Sequence, residues 1–132
     1  MKKDIRNRKD IERLINRFYD KIKTDTVIGF IFTDIAKVHW EQHLPVMYDF
    51  WENAIFHTGN YAGNPLESHK KLHHLFPLTP AHFDHWNKLF ADTVDAHFEG
   101  TNARLLKQKA LSIATVMKIK ILSGESDLHK VF

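Results

Sequence analysis

Apolar residues recur three and four positions apart in four long stretches of the chain, which is the spacing of one buried helix face. The first two stretches predict an amphipathic helix over about residues 8–23 and a second helix from Val38 to about Phe56. The other two predict helices over residues 80–100 and 101–124, each ending at a glycine. No strand-like alternation and no internal repeat occurs, so the pattern predicts an all-α fold.

Shorter segments connect these four helices. Residues 25–34 hold apolar side chains around Gly29 and predict a bend with a helical turn. Residues 58–65 are rich in glycine, asparagine and proline and predict a loop. A short helix from Leu66 to about Leu75 should follow.

Helix starts carry their own signals. Thr79 followed by proline is a typical N-cap, and Thr101 is predicted to cap the last helix. Pro45, by contrast, stands inside the second predicted helix. An interior proline removes one backbone hydrogen bond and costs about 3 kcal/mol. We therefore expect either a kink near Glu41 or a helix that begins near His43.

The size and charge of the chain indicate one domain. Its 132 residues, 43% hydrophobic and 27% charged, predict a single domain over residues 1–132, with a helical body over about 8–122 and a tail over 123–132. No apolar run has the length of a membrane helix or a signal core, so the cytoplasm is the expected compartment and no membrane partner is expected. The formal charge of +3 is spread along the chain, which does not indicate a nucleic-acid partner.

Residue counts narrow the possible chemistry. Cysteine is absent, which excludes disulfides, iron–sulfur clusters and covalently attached c-type haem. Any metal must therefore be held by His, Asp or Glu. Ten histidines and sixteen aromatic residues in so short a chain are compatible with a flat aromatic cofactor that carries a metal.

Histidine pairs are the candidate metal ligands. The chain contains neither H-E-x-x-H nor E-x-x-H, which argues against a zincin and a di-iron carboxylate site. A zinc-binding helical bundle stays open as an alternative if other side chains complete the shell. A second possibility is a haem slot, with one imidazole on one side of the ring and polar donors on the other. The pairs are His39 with His43, His69 with His73, and His82 with His85.

Five short fragments follow one another in order along residues 8–122. They are Phe18-Tyr19, Ile31-Phe32, Trp40-x-x-His43-Leu44-x-x-Met47-x-x-Phe50-Trp51, Tyr61-x-Gly63-x-Pro65-Leu66-x-x-His69 and Phe83-x-x-Trp86-x-x-Leu89-Phe90. Each fragment alone is unspecific, but their order and spacing together are strong evidence of one family. In this pattern the chain resembles the group III truncated haemoglobins.

This resemblance implies a globin-like fold, the truncated sandwich of two helices over two, with a very short first helix. It implies a non-covalent haem b that reversibly binds a diatomic gas (O₂, NO or CO) or peroxide. A reductase is an expected partner, and we expect a monomer or weak dimer.

The resemblance also assigns roles to residues. His69 matches the protein ligand to the iron, and Tyr19, His43 and Trp86 match polar residues on the opposite, distal side of the haem. We further expect haem-pocket contacts from six residues, namely Phe32, Met47, Phe50, Lys70, His73 and Phe83.

Two functional interpretations follow from these roles. Several distal hydrogen-bond donors favour tight retention of the ligand, or chemistry on O₂, NO or peroxide, over rapid oxygen delivery. Peroxidase-like or NO dioxygenase activity is the enzymatic alternative, with His43 as a possible acid–base group. A peroxidase usually has a carboxylate behind the iron-binding histidine, and Glu67 stands at the wrong helical spacing from His69 for that. Ligand binding therefore ranks above catalysis.

Overall fold

The computed structural model describes residues 2–123, and this part of the chain is helical. The predicted tail beyond Ser123, including the predicted stop at Gly124, lies outside the described residues. The β-type pairing among residues 2–123 consists of one isolated bridge, between Lys3 and Phe98. The all-α prediction is therefore confirmed. The elements are α1 Arg8–Thr24, a π-helical turn Ile31–Ile35, α2 Trp40–Phe56, α3 Pro65–Leu75, α4 Pro80–His97 and α5 Thr101–Leu122.

Helix α1 forms where its amphipathic pattern predicts it. The Asn7 side chain accepts a hydrogen bond from the Asp10 N–H and caps its first turn. The apolar side chains of α1 then fall on one face, and all of them are buried. This face places Tyr19 in the interior. Its members are Ile11, Leu14, Ile15, Phe18, Tyr19 and Ile22.

The four long helices pack as two layers. Helix α1 packs against α2 and α4, while α5 packs against α4, α2 and the short helix α3. The pair α1 and α2 therefore lies over the pair α4 and α5, the two-over-two arrangement that the sequence predicted. No helix among residues 2–123 is long and apolar enough to cross a bilayer.

Aromatic rings hold three of these helices together. The rings of Trp51 in α2 and Phe90 in α4 stack with centroids 4.7 Å apart, and Trp86 stacks on Phe90 at 5.4 Å. Phe18 of α1 meets Phe90 edge-on at 5.1 Å. Such pairs add about 0.5–1.5 kcal/mol each beyond the area that they bury. The cluster fixes α4 relative to α1 and α2.

One of the two expectations for α2 was a start near His43, and the helix begins before that residue, at Trp40. Its N-cap is His39, whose carbonyl accepts hydrogen bonds from Gln42 N–H at 3.0 Å and His43 N–H at 2.8 Å. A start near His43 is therefore wrong. Pro45 lies inside the helix, and the carbonyl that its missing N–H would have paired belongs to Glu41, an exposed residue in the first turn. Water can hydrate a carbonyl in that position, which reduces the cost of the proline.

The structure of the N-terminal segment and of the start of α5 contradicts two other expectations. Residues 2–7 contain no helix, so the very short first helix is not found. Helix α5 is capped at Gly100 and not at Thr101, and Gly100 has a φ of 134°, a left-handed backbone that favours glycine. Because Gly100 has no side chain, Asp4 caps the helix instead. Its carboxylate accepts from Asn102 N–H at 3.0 Å and Ala103 N–H at 2.9 Å.

Replacing Asp4 by Ala should lower the free energy of unfolding by about 1 kcal/mol near neutral pH, the usual value of an N-cap. Burial disfavours the charged carboxylate, but the three backbone N–H groups it accepts from, those of Asn102, Ala103 and Ile5, outweigh burial and lower its pKa. The Asp4 contribution is thus complete above the unfolded pKa, about 4, and is lost as the pH falls through the lower native pKa.

Urea denaturation of wild type and Asp4→Ala across this pH range measures the difference. The gap between the two should close in acid, and Asp4→Asn, which keeps one acceptor oxygen, should fall between them near neutral pH. A gap that stays constant in acid would contradict the assigned cap.

Candidate functional site

A cavity of about 390 Å³ lies between the helices, and all five α-helices contribute to its wall. Its volume is in the range of small-molecule and cofactor sites, about 300–1,000 Å³. Most of the wall is apolar, with a few polar groups among the aliphatic and aromatic side chains. The connecting segments add Ile28, Ile31, Phe32, Tyr61, Gly63, Asn64 and Leu78.

His69 lines this cavity from α3 in a fixed orientation. Its Nδ1 lies 2.6 Å from the Pro65 carbonyl oxygen, one turn earlier in the same helix. A carbonyl can only accept, so Nδ1–H donates and, in the neutral ring, Nε2 keeps its lone pair. The start of α3 is itself fixed by Pro65 in its first turn and by Asn64, whose side chain accepts from Glu67 N–H at 3.2 Å. The sequence around His69 thus engages Nδ1 and leaves Nε2 available to a partner in the cavity.

Tyr19 and His43 meet on another part of the wall. The Tyr19 hydroxyl lies 3.3 Å from His43 Nε2, within hydrogen-bonding distance. Tyr19 is only 4% exposed, and this burial raises the pKa of its hydroxyl. Burial, and to a lesser degree the nearby His69, lowers the pKa of His43. Both groups are therefore neutral at physiological pH, and they form one hydrogen-bonded pair on the cavity wall.

Trp86 lines the same cavity from α4. Its ring is held between neighbours, stacked on Phe90 and 6.3 Å from the nearly parallel ring of Trp51. Within residues 2–123 no protein group accepts a hydrogen bond from its indole N–H. Packing and hydrogen-bond donation are thus compatible at this residue.

The structure brings together eight of the ten residues that the sequence singled out. His43 lines the cavity with the others, although Pro45 follows it two residues later in the same helix. The eight lining residues are Tyr19, Phe32, His43, Met47, Phe50, His69, Phe83 and Trp86.

Lys70 and His73 are not brought to the cavity. Lys70 Nζ lies 3.8 Å from the Glu67 carboxylate, on the outer side of α3. His73 Nδ1 accepts a hydrogen bond from Leu78 N–H at 2.8 Å and so ties the end of α3 to the segment before α4. Because these positions follow His69 by one and four residues, sequence proximity suggested them, but neither side chain lines the cavity wall.

Sequence reasoning also missed residues that line the cavity. His82 is four residues before Trp86, and Leu72 is three residues after His69, so each shares a helix face with a predicted site residue. That spacing was available in the sequence. The contribution of α5 was less accessible, because it depends on how α5 packs against α2 and α3. It consists of Ile113, Ala114 and Met117.

The zinc alternative has no site in the described part of the chain. Among residues 2–123 no group of three or more His, Asp or Glu side chains gathers in a way that could hold a metal ion. The histidine pairs have separate positions. His39 is exposed at the start of α2, His73 binds a backbone N–H, and His85 Nε2 lies 2.8 Å from the Asp25 carboxylate.

Comparison with known proteins identifies the family. Residues 4–122 match the family model described as bacterial-like globin. The chain belongs to this family. It is 28% identical over 118 residues to the group 3 truncated haemoglobin ctb of Campylobacter jejuni. The aligned residues cover 87% of this chain and 91% of the relative. The crystal structure of a group III truncated haemoglobin from Campylobacter jejuni matches with a TM-score of 0.80 at 27% identity, over 92% of this chain and 95% of that one.

These findings confirm the resemblance to group III truncated haemoglobins and the truncated globin fold. Membership in the family makes this chain a haem-binding globin. The cavity fits such a group on its own chemistry, since it offers an apolar slot and one neutral imidazole nitrogen of fixed tautomer. A porphyrin supplies the other four nitrogen ligands itself, so a single protein ligand is enough.

Tyr19 should not ionise while the globin is folded. An exposed tyrosine has a pKa of about 10. The chain has three tyrosines, and Tyr19 is the most deeply buried of them. In an alkaline titration of the haem-free protein, Tyr19→Phe should therefore leave the ultraviolet phenolate signal unchanged until unfolding. Tyr61→Phe is the control and should reduce it. A native signal that drops in Tyr19→Phe would contradict the buried position.

Proposed function

We propose that this globin binds haem b non-covalently with His69 Nε2 as the protein ligand to iron, and that it reversibly binds O₂ or another diatomic ligand. The observation that carries the proposal is the hydrogen bond from His69 Nδ1 to the Pro65 carbonyl. Histidines that bind metals almost always donate their second ring N–H in this way, which sets the tautomer and the ring orientation. The absence of cysteine supports a non-covalent cofactor.

When bound, haem would supply an iron atom that can hold a small diatomic ligand. This chain supplies the polar groups around that ligand. The Tyr19 hydroxyl, the His43 imidazole and the Trp86 indole N–H all belong to the cavity wall. Each hydrogen bond to a partly charged ligand contributes about 1–3 kcal/mol. Because Tyr19 and His43 use one hydrogen between themselves, the pair supplies one donor and the Trp86 indole N–H a second. Two donors support slow release of O₂, and they also suit NO, CO or peroxide.

The apolar wall strengthens these hydrogen bonds. Because Phe32, Met47, Phe50 and Phe83 line the cavity, little water can compete for the distal donors. The raised pKa of Tyr19 keeps its hydroxyl protonated, so it stays a donor at physiological pH. A reductase is the expected partner, because reversible O₂ binding needs ferrous iron.

The surroundings of His69 favour ligand binding over peroxide cleavage. A carboxylate hydrogen-bonded to Nδ1 would make the imidazole more basic and would assist cleavage of an O–O bond. Here the acceptor is the neutral carbonyl of Pro65. Glu67, the carboxylate next in sequence, is near Lys70 instead. This supports the ranking of binding above catalysis.

Replacing His69 by Ala should abolish the ordinary spectrum of the five-coordinate ferrous protein, because the nitrogen ligand is lost. Absorbance of the Soret band after titration with hemin and reduction measures this. His73→Ala is the matched control, since this histidine is on the same helix but outside the cavity, and it should bind hemin like wild type. Added imidazole should restore the histidine-type spectrum to His69→Ala. A variant that keeps that spectrum without imidazole would refute the assigned ligand.

Removing a distal donor should speed O₂ release. Tyr19→Phe and Trp86→Phe keep the aromatic packing, and each should raise the O₂ dissociation rate roughly 5- to 150-fold, the equivalent of about 1–3 kcal/mol. Stopped-flow measurement on the reduced protein tests this. Because Tyr19 and His43 are hydrogen-bonded to each other, Tyr19→Phe and His43→Leu should be non-additive. Tyr48→Phe is the control, because the Tyr48 hydroxyl donates to Asn16 and does not line the cavity, and it should change little. Unchanged rates in both aromatic variants would contradict the distal role.

A further inference from the structure

His82 is a cavity residue with no part in the function proposed so far. It is half-buried, lies in the first turn of α4 and lines the cavity together with Phe83 and Trp86. It also takes part in the capping of α4. Its backbone N–H donates to the Thr79 hydroxyl at 3.4 Å, and its Nδ1 accepts from the Thr79 backbone N–H at 3.0 Å.

This capping contact determines the tautomer of His82. A backbone N–H can only donate, so Nδ1 must be the acceptor and carries no proton. In the neutral ring the proton is therefore on Nε2. Within residues 2–123 no protein group accepts a hydrogen bond from that nitrogen. His82, a residue of the cavity wall, thus has an N–H donor whose direction is set by the helix cap and whose partner is not supplied by residues 2–123.

The position of this donor favours an anion. The first turn of α4 is the positive end of the helix dipole, which stabilises negative charge nearby. Among the described residues that line the cavity none is Lys or Arg. Two other polar groups of the wall are already engaged, since the Ser68 hydroxyl donates to the Asn64 carbonyl and the Asn64 side chain caps α3. His82 is therefore a suitable partner for an acidic group inside the cavity.

We propose that His82 Nε2–H binds a propionate carboxylate of the haem and so determines how the cofactor is oriented and retained. This inference rests on the proposed function, because it assumes that haem occupies the cavity. Haem is apolar over most of its surface and carries its two carboxylates at one edge, so a single directed donor distinguishes that edge from the others. Lys70 and His73, from which the sequence predicted haem-pocket contacts, do not line the cavity.

The capping role and the haem contact can be separated by substitution. Glu or Gln at this position of a capping box also accepts the N–H of the cap residue. His82→Glu therefore keeps the start of α4, removes every side-chain N–H and adds a negative charge. His82→Gln also keeps the start of α4, but it replaces the imidazole N–H by an amide N–H that points in a different direction. His73→Gln is the matched control, because His73 is also half-buried and its Nδ1 also accepts a backbone N–H, but it lies outside the cavity.

The test measures the rate of haem loss from the full-length chain to an excess of a haem-scavenging globin, followed in the Soret band. Each variant is loaded either with hemin or with hemin dimethyl ester, which lacks the carboxylates. With hemin, His82→Glu should lose the cofactor at least about tenfold faster than wild type, and His82→Gln should lie between the two because its amide N–H can still donate. His73→Gln should match wild type. With the dimethyl ester, all four proteins should lose the cofactor at similar rates.

Two results would overturn the inference while the proposed function stands. One is hemin loss from His82→Gln and His82→Glu at the wild-type rate. The other is an equal acceleration with hemin and with the ester, which would indicate a steric effect without a carboxylate contact. Thermal unfolding of the haem-free variants checks that the cap of α4 is intact. If wild type retains neither hemin nor the ester, the proposed function itself fails.

Discussion

The hydrogen bond from His69 Nδ1 to the Pro65 carbonyl is the contact on which the site depends. It joins two residues one turn apart, so it forms as soon as α3 forms. The first turn of α3 is set by the Asn64 cap and by the proline itself, which suits the first helical position. A backbone group therefore orients the imidazole and decides which ring nitrogen keeps its lone pair. No long-range contact is needed for this step.

The surrounding helices turn that local arrangement into a site. Phe90 stacks on Trp51 and Trp86 and meets Phe18 edge-on, which holds α1, α2 and α4 in fixed relative positions. This packing leaves a slot beside α3 while burying most other apolar side chains. Tyr19 reaches the same slot from the buried face of α1. The cavity thus combines an imidazole oriented within one helix with polar groups supplied by others.

Three histidines show how a backbone contact selects the chemistry of an imidazole. In His69 the Nδ1 donates to a carbonyl, so Nε2 keeps a lone pair suited to a metal. In His73 and His82 the Nδ1 accepts a backbone N–H, so Nε2 carries the proton and suits an acceptor such as a carboxylate. The same side chain thus has opposite capacities, depending on the partner of its first nitrogen. Only His69 and His82 of the three also line the cavity.

The sequence by itself determined where the helices lie, and a resemblance to a known family singled out the candidate site residues. Helical periodicity repeats within a few residues, so it placed Tyr19 on the buried face of α1. His69 was singled out by the order and spacing of fragments shared with the group III truncated haemoglobins. The tertiary structure decided what depends on residues far apart in the chain. Asp4 caps α5 across 98 residues of sequence, and His82 rather than His73 reaches the cavity. The physical reason is that periodicity assigns a side chain to a helix face, whereas packing between distant helices decides what that face contacts.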